Sequence, residues 1–358
     1  MAVLWFDGFD QYFSSGSTEL ELFENYTFRH DDGWGNVQPA GGILPRTGTR
    51  FYYHAATADY SWLARYIGEY GAGAELTAGF GYSFEERLGG DTESPFFQFW
   101  SLIGTPRMRL LHDATDFYIR IEIWSETLNG WVSAAQSCDG VLAPQMWEFV
   151  EVRLKMHATQ GEVEVRVNDE TILLVGDLNT VWSDPVRFGG FYTPWQWGAA
   201  HDDFYMLDHR GAPSTFLGAK TRVRVAVPTV DGIGNSFSVA GASATGFDAL
   251  NAQTDEDTDY VYSNVDGAVD LYAHNALPQS TVKIVSAMVM SRARADGGVS
   301  RFLENRLTYP GGGTSNQAKH ALTPSYHWYT DICEGAPGLA WTVDRASLVW
   351  SGFRGGNN

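Results

Sequence analysis

Hydrophobic and polar positions alternate most cleanly between Phe149 and Val175. Val150, Val152, Leu154 and Met156 fall on one side, with Glu151, Arg153 and Lys155 on the other. Ala158 to Gly161 has turn chemistry. Val163, Val165 and Val167 then alternate with Glu162, Glu164 and Arg166, Asn168-Asp169 turns the chain, and Ile172 to Val175 returns. A period of two, broken by turn residues, predicts an antiparallel meander with one buried face. Further strand candidates are Val3 to Phe6, Phe51 to His54, Ser61 to Tyr66, Glu75 to Phe84, Phe96 to Ile103, Arg107 to His112, Phe117 to Trp124 and Gly130 to Ser133. Their spacing of roughly ten residues is that of an all-β sandwich. The pattern holds no helix longer than two turns before residue 210.

A change of character follows. Asp203 to Leu207 reads as the closing strand of the first domain, and Asp208 to Ser214 is rich in turn residues. Thr221 to Val227 alternates again, Val223, Val225 and Val227 against Arg222 and Arg224, which predicts a new strand. Residues 232–260 are rich in Gly, Ser, Ala and Asp. Val269 to Ala273, Thr281 to Met290, Arg301 to Tyr309, Tyr326 to Ile332 and Ser347 to Phe353 read as strands of a second, smaller β-sandwich, with 281–290 apolar on both faces like a central strand. The expected organisation is a sandwich over 1–210, a loop-rich connector over 211–260 beginning with the strand 221–227, and a C-terminal β-domain over 261–358.

Composition narrows the partners. The chain of 358 residues is 44% hydrophobic and 19% charged, with 39 Gly and 13 Trp, which suits ordered cores and many tight turns. Net charge is −19, from 24 Lys+Arg and 43 Asp+Glu. Residues 211–358 hold 11 basic and 13 acidic residues, so residues 1–210 hold 24 − 11 = 13 and 43 − 13 = 30, a net of −17. Such a domain repels phosphate backbones, so no nucleic-acid partner is expected. No apolar run reaches membrane-spanning length and no leader is visible, so no membrane insertion is expected. Cys138 and Cys333 fall in different domains and fit a reducing cytoplasm.

One set of residues resembles a known family. Asp202-Asp203-Phe204-Tyr205, Phe216-Leu217-Gly218, Arg224-Val225 and Pro228-Thr229-Val230-Asp231-Gly232 resemble a run in structural proteins of tailed bacteriophages. There it joins a concanavalin-like (lectin/glucanase, laminin G-like) sandwich to a C-terminal virion domain. The likeness includes Phe6-Asp7-Gly8-Phe9-Asp10, passes through Asp255 to Val261 and ends near Ala340-Trp341-Thr342, covering most of the chain. It implies a virion protein assembled in the bacterial host cytoplasm. The implied place is tail tip, baseplate or fibre, serving attachment to a host-surface glycan, with capsid decoration or a head fibre as the alternative and a glycan-cleaving glycoside hydrolase (depolymerase) as the third reading. Other virion proteins are the implied partners. A homo-oligomer is expected as well, because appendages repeat one chain about an axis and the second domain is nearly neutral, with Ser347 to Phe353 as a candidate exposed strand.

Candidate chemistry is sparse. Glycosidases of this fold need two carboxylates across the scissile bond. Glu122 and Glu126 fall on one face of a predicted strand, but the Glu-x-Asp-x-x-Glu run of laminarinase-type enzymes is absent, so no catalytic residues and no enzyme are expected. Glu162 and Glu164 read as solvated. Tyr192, Trp195 and Trp197 lie in an aromatic loop suited to stacking on sugar faces, or equally to packing. Asp31, Asp32, Asp202 and Asp203 offer oxygen ligands for calcium, although paired Asp residues also cap turns and make salt bridges. No other cofactor is expected.

Overall fold

The computed structural model describes residues 3–9, 26, 28–31, 34–39, 46, 50–55, 60–85, 93–102, 105–194, 198–210, 216–234, 236–251, 259–281, 283–296, 300–309, 313–333, 341–346 and 349–357. The chain divides into two compact units, Met1–Arg224 and Val225–Asn358. Both are antiparallel β-structure, as the alternating pattern predicts.

The first unit holds strands β1 (Val3–Asp7), β2 (Phe28–Asp31), β3 (Trp34–Pro39), β4 (Arg50–Ala55), β5 (Tyr60–Tyr70), β6 (Glu75–Phe84), β7 (Glu93–Leu102), β8 (Thr105–Asp113), β9 (Ile119–Ser125), β10 (Gly130–Gln136), β11 (Glu148–Lys155), β12 (Gly161–Val167), β13 (Glu170–Leu178), β14 (Val186–Pro194) and β15 (Gly198–Leu207). They form two sheets. One has the order β13-β12-β11-β6-β15-β4-β3, with β1 also on β15; the other runs β10-β9-β8-β7-β14-β5-β2. Side chains of alternate residues interdigitate between them, as in a sandwich. Phe80, Val150, Val165 and Phe204 come from the first sheet, Phe97, Leu110, Ile121 and Phe191 from the second, and all are fully buried. The meander β11-β12-β13 follows the sequence pattern. Its tight turn places Asn168 and Asp169 at φ 51° and 73°, a left-handed pair that Asn and Asp tolerate better than most residues.

Residues 221–227, whose alternation predicts a strand, form none. Residues 216–223 lie along the outer side of the eight-stranded sheet, and their backbone donors find carboxylates and a phenol rather than a ladder. Leu217 N–H donates to Tyr205 Oη (3.1 Å), Gly218 N–H to Glu151 (2.8 Å), Ala219 N–H to Asp169 (2.6 Å) and Val223 N–H to Asp203 (2.7 Å). Arg46 adds bonds to Asp203 (2.6 Å) and to the carbonyls of Ala219 (2.5 Å) and Thr221 (3.3 Å). Two glycines of β6 make the room: a Cβ on Gly79 would run into the Tyr205 ring, and one on Gly81 would come within 2.7 Å of Arg46 Cδ. Phe216 is capped by the Arg166 guanidinium, 4.2 Å from its ring centre. These contacts tie residues 216–223 to the first unit.

The second unit contains β16 (Pro228–Asp231), β17 (Ser238–Ala240), α1 (Gly246–Asn251), β18 (Tyr260–Tyr262), β19 (Val269–His274), β20 (Ala287–Ala293), β21 (Arg301–Thr308), β22 (Thr314–Ala321), β23 (His327–Cys333), α2 (Val343–Ala346) and β24 (Trp350–Asn357). A five-stranded sheet, β16-β19-β24-β21-β22, is faced by the pair β20-β23, and β17 pairs with β18. Tyr272, Leu303 and Phe353 form one core cluster with Phe237, Phe247, Val261 and Tyr329 against it; Val289, Leu307 and Cys333 form another with Trp341. Two expectations change here. The run 281–290 is not a central strand: β20 begins only at Ala287 and pairs with β23 alone. The run 347–353 is not an exposed strand, because β24 sits between β19 and β21 and buries Phe353. A ladder satisfied on both sides has no free edge to offer another copy.

Candidate functional site

The outer side of the eight-stranded sheet carries residues 216–223, and the seven-stranded sheet has an outer side of its own. Which residues it presents follows from alternation. Met108, Leu110, Ile121, Ile123, Phe97, Phe99, Phe191 and Leu63 point inward and are buried. Their neighbours Arg109, Arg120, Glu122, Trp124, Gln98, Trp100, Tyr192, Trp62 and Ala64 therefore point outward. Strand pairing aligns these into rows. Ser133, Glu122, Arg109, Gln98, Gly190 and Ala64 stand opposite one another across six strands.

That central row is polar and tightly connected. Arg109 meets Glu122 at 2.6 Å, and Arg120 Nη2 meets the other oxygen of Glu122 at 2.9 Å while Nη1 and the same Nη2 reach Glu93. The Tyr118 hydroxyl also donates to Glu93. Gln98 is almost fully buried in the centre of the sheet.

Aromatic rings lie near both ends of the row. At the β5–β14 end Tyr192 lies 6.4 Å from Trp62 and packs against the cluster of Ala64, Trp100 and Phe188. Tyr66, 45% exposed, meets Phe188 edge-on at 5.5 Å. At the β9–β10 end Trp131 and Trp124 meet at 5.5 Å in a T-shape, and the Arg109 guanidinium lies 4.1 Å from the Trp131 ring centre. The Trp182 indole N–H, donating 2.9 Å to the Trp124 carbonyl, anchors this corner.

The sequence-predicted site residues are dispersed. Tyr192 lies on this face, half-buried; Trp195 and Trp197 lie outside the described residues. Asp31 ends β2 in the seven-stranded sheet, Asp32 lies outside the described residues, and Asp202 and Asp203 belong to β15 of the other sheet. Asp203 is fully buried and ion-paired with Arg46, so the calcium expectation is corrected there: a guanidinium supplies the positive charge. Asp203 takes φ 51° at a bulge in β15, which turns its carboxylate toward Arg46 and the Val223 N–H. Among the described residues no group of three or more His, Cys, Asp and Glu is placed to hold a metal.

The carboxylate pairs also differ from expectation. Glu126 does not share the strand face of Glu122, because β9 ends at Ser125. It accepts from Ser183 Oγ (2.7 Å) and N (3.0 Å) and from Arg107 (3.1 Å). The Ser183 hydrogen bonds hold its carboxyl below the usual range, which suits an anion rather than a proton donor. Glu164, read as solvated, is buried between Arg153 (2.8 Å) and Arg166 (2.8 Å).

Two histidines are buried without belonging to this face. His112 shares a 2.9 Å hydrogen bond with Tyr82 Oη, and His201 stacks on Phe191 at 3.9 Å. Burial keeps both neutral and lowers both to about 3.

No family model and no curated protein matches the chain. Solved structures with a similar first unit exist at low identity. An endo-β-1,4-glucuronan lyase from Trichoderma reesei is 12% identical, with 59% of this chain and 100% of that chain covered and a TM-score of 0.43. An alginate lyase is 13% identical, with 57% and 98% covered and a TM-score of 0.39. A carbohydrate-binding module from Bacillus subtilis is 9% identical, with 51% and 96% covered and a TM-score of 0.32. Two of these structures are lyases, and the expectation that the chain is not an enzyme is withdrawn. The architecture is an all-β sandwich of two antiparallel sheets followed in sequence by a smaller β-unit.

Proposed function

We propose that the outer face of the seven-stranded sheet binds a glycan. The observation that carries this is the polar row Ser133–Glu122–Arg109–Gln98 with Trp131 and Trp124 near its β9–β10 end and Trp62, Tyr192 and Tyr66 near its β5–β14 end. Sugar rings offer flat apolar faces and a rim of hydroxyls. Aromatic planes match the first, and fixed donors and acceptors match the second. The setting we propose is a tailed-phage particle, at tail tip, baseplate or fibre, with attachment to the host surface as the role and the other virion proteins as partners. That setting rests on the sequence likeness between Asp202 and Gly232.

The test is binding of the purified full chain to host-surface polysaccharide by isothermal titration calorimetry, with product release followed in the same samples. Trp131→Ala and Tyr192→Ala should each weaken binding roughly tenfold or more, equivalent to about 1.4 kcal/mol. Unchanged affinity in both would remove the face from consideration. Labelling this protein on intact particles separates tail from capsid.

A further inference from the structure

The charge arrangement of this face points to a ligand class. We infer that, on the reading that the face binds a glycan, the glycan is neutral rather than uronate-containing or sulfated. Every guanidinium described on the face already has its anion. Arg109 pairs with Glu122, Arg120 with Glu122 and Glu93, Arg107 with Glu126 and Asp184, and Arg187 with Glu69. Glu122 is the keystone: 9% exposed, it takes one guanidinium on each oxygen. The central row therefore presents fixed hydrogen-bonding groups with no cation to spare.

An anionic sugar is recognised by an uncompensated guanidinium or ammonium, which can close a bidentate pair with the incoming carboxylate or sulfate. Here that geometry is taken by the protein's own carboxylates. Opening one pair to admit the ligand would strip the buried Glu122 of one of its two charge partners, a costly exchange. The field around the face acts in the same direction, because residues 1–210 carry 13 basic and 30 acidic residues. A neutral hexose polymer pays neither cost. It can stack on the Tyr192–Trp62 and Trp124–Trp131 corners and exchange hydroxyl hydrogen bonds with the exposed Ser133.

The experiment uses the full chain on an array of neutral-hexose, uronate-containing and sulfated oligosaccharides at physiological salt. Hits confined to neutral sugars support the inference. Strongest hits among uronate or sulfated sugars would overturn it and leave the glycan-binding reading standing, whereas no hit in any class overturns that reading itself. A second arm makes the charge argument directly. Glu122→Gln frees Arg109, while Arg120 keeps Glu93, and should raise affinity for alginate at least tenfold, in a salt-sensitive manner. Where thermal melting shows that Glu122→Gln no longer folds, Glu126→Gln, on the exposed turn beside Arg107, is read the same way. No gain for alginate in a folded variant sinks the inference.

Discussion

His112 and His201 are two ionisable rings placed where only a neutral ring is tolerated. They sit among Tyr82, Phe84, Phe96 and Phe191. Burial lowers each to about 3 in the fold, against about 6.5 in an unfolded chain. Between those values the unfolded state binds protons that the folded state refuses. The stability they leave intact is full above about pH 6.5 and falls as pH drops toward 3, by up to about 1.4 kcal/mol per pH unit for each ring. Urea unfolding followed between about pH 7 and about pH 4.5 should show this loss. His201→Phe, which keeps an aromatic ring against Phe191, should halve the slope. An unchanged slope would mean that carboxylates elsewhere, not these rings, set the acid sensitivity.

Among the elements, β6 shows how a strand's outer face can be specified by what it lacks. Gly79 and Gly81 leave the hollow in which the Tyr205 ring and the Arg46 stem lie. Gly79→Ala is therefore expected to cost about 1–3 kcal/mol, as an overpacked site does, measurable as a shift in denaturant midpoint at constant slope. Loss of the Tyr205 to Leu217 hydrogen bond should accompany it. The strands themselves were legible. The meander from Glu148 to Leu178 follows strict alternation between Val or Leu and charge, a signal set by local geometry. The partners of that charge were not legible. Glu164 looks solvated in sequence, yet it is bonded to Arg153 on the neighbouring strand as well as to Arg166, and Glu151 is bonded to the distant Gly218 and Tyr205. Residues 221–227 alternate like a strand because Val and Arg do alternate; nothing local shows that the Val223 donor is claimed by Asp203, or those of the preceding Gly218 and Ala219 by Glu151 and Asp169. The candidate face was half visible. Arg109 and Arg120-Ile121-Glu122 interrupt apolar runs at a period of two, the mark of a strand with a charged outer side, but only pairing in register assembles Gln98, Arg109, Glu122 and Ser133 into one row.

At the scale of the whole molecule, the division falls after Arg224, not at the turn-rich run 208–214. A fragment of residues 1–224 should melt cooperatively by circular dichroism. A fragment ending at residue 210 loses the backbone partners of Asp203, Glu151 and Asp169 together with Phe216, and should melt several degrees lower, a loss of the order of a few kcal/mol. Equal melting temperatures would show that residues 216–223 add nothing to the fold of this unit. The same clasp has a mechanical meaning. A tether leaving at residue 225 does not pull directly on β15, whose hydrogen bonds would open one after another from the end. Tension first meets Arg46 and the four carboxylate- and phenol-bound amides of residues 217–223 as a group loaded together, with the buried Arg46–Asp203 pair beneath them. The arrangement is a strain relief: the sandwich is shielded from force carried by the rest of the chain.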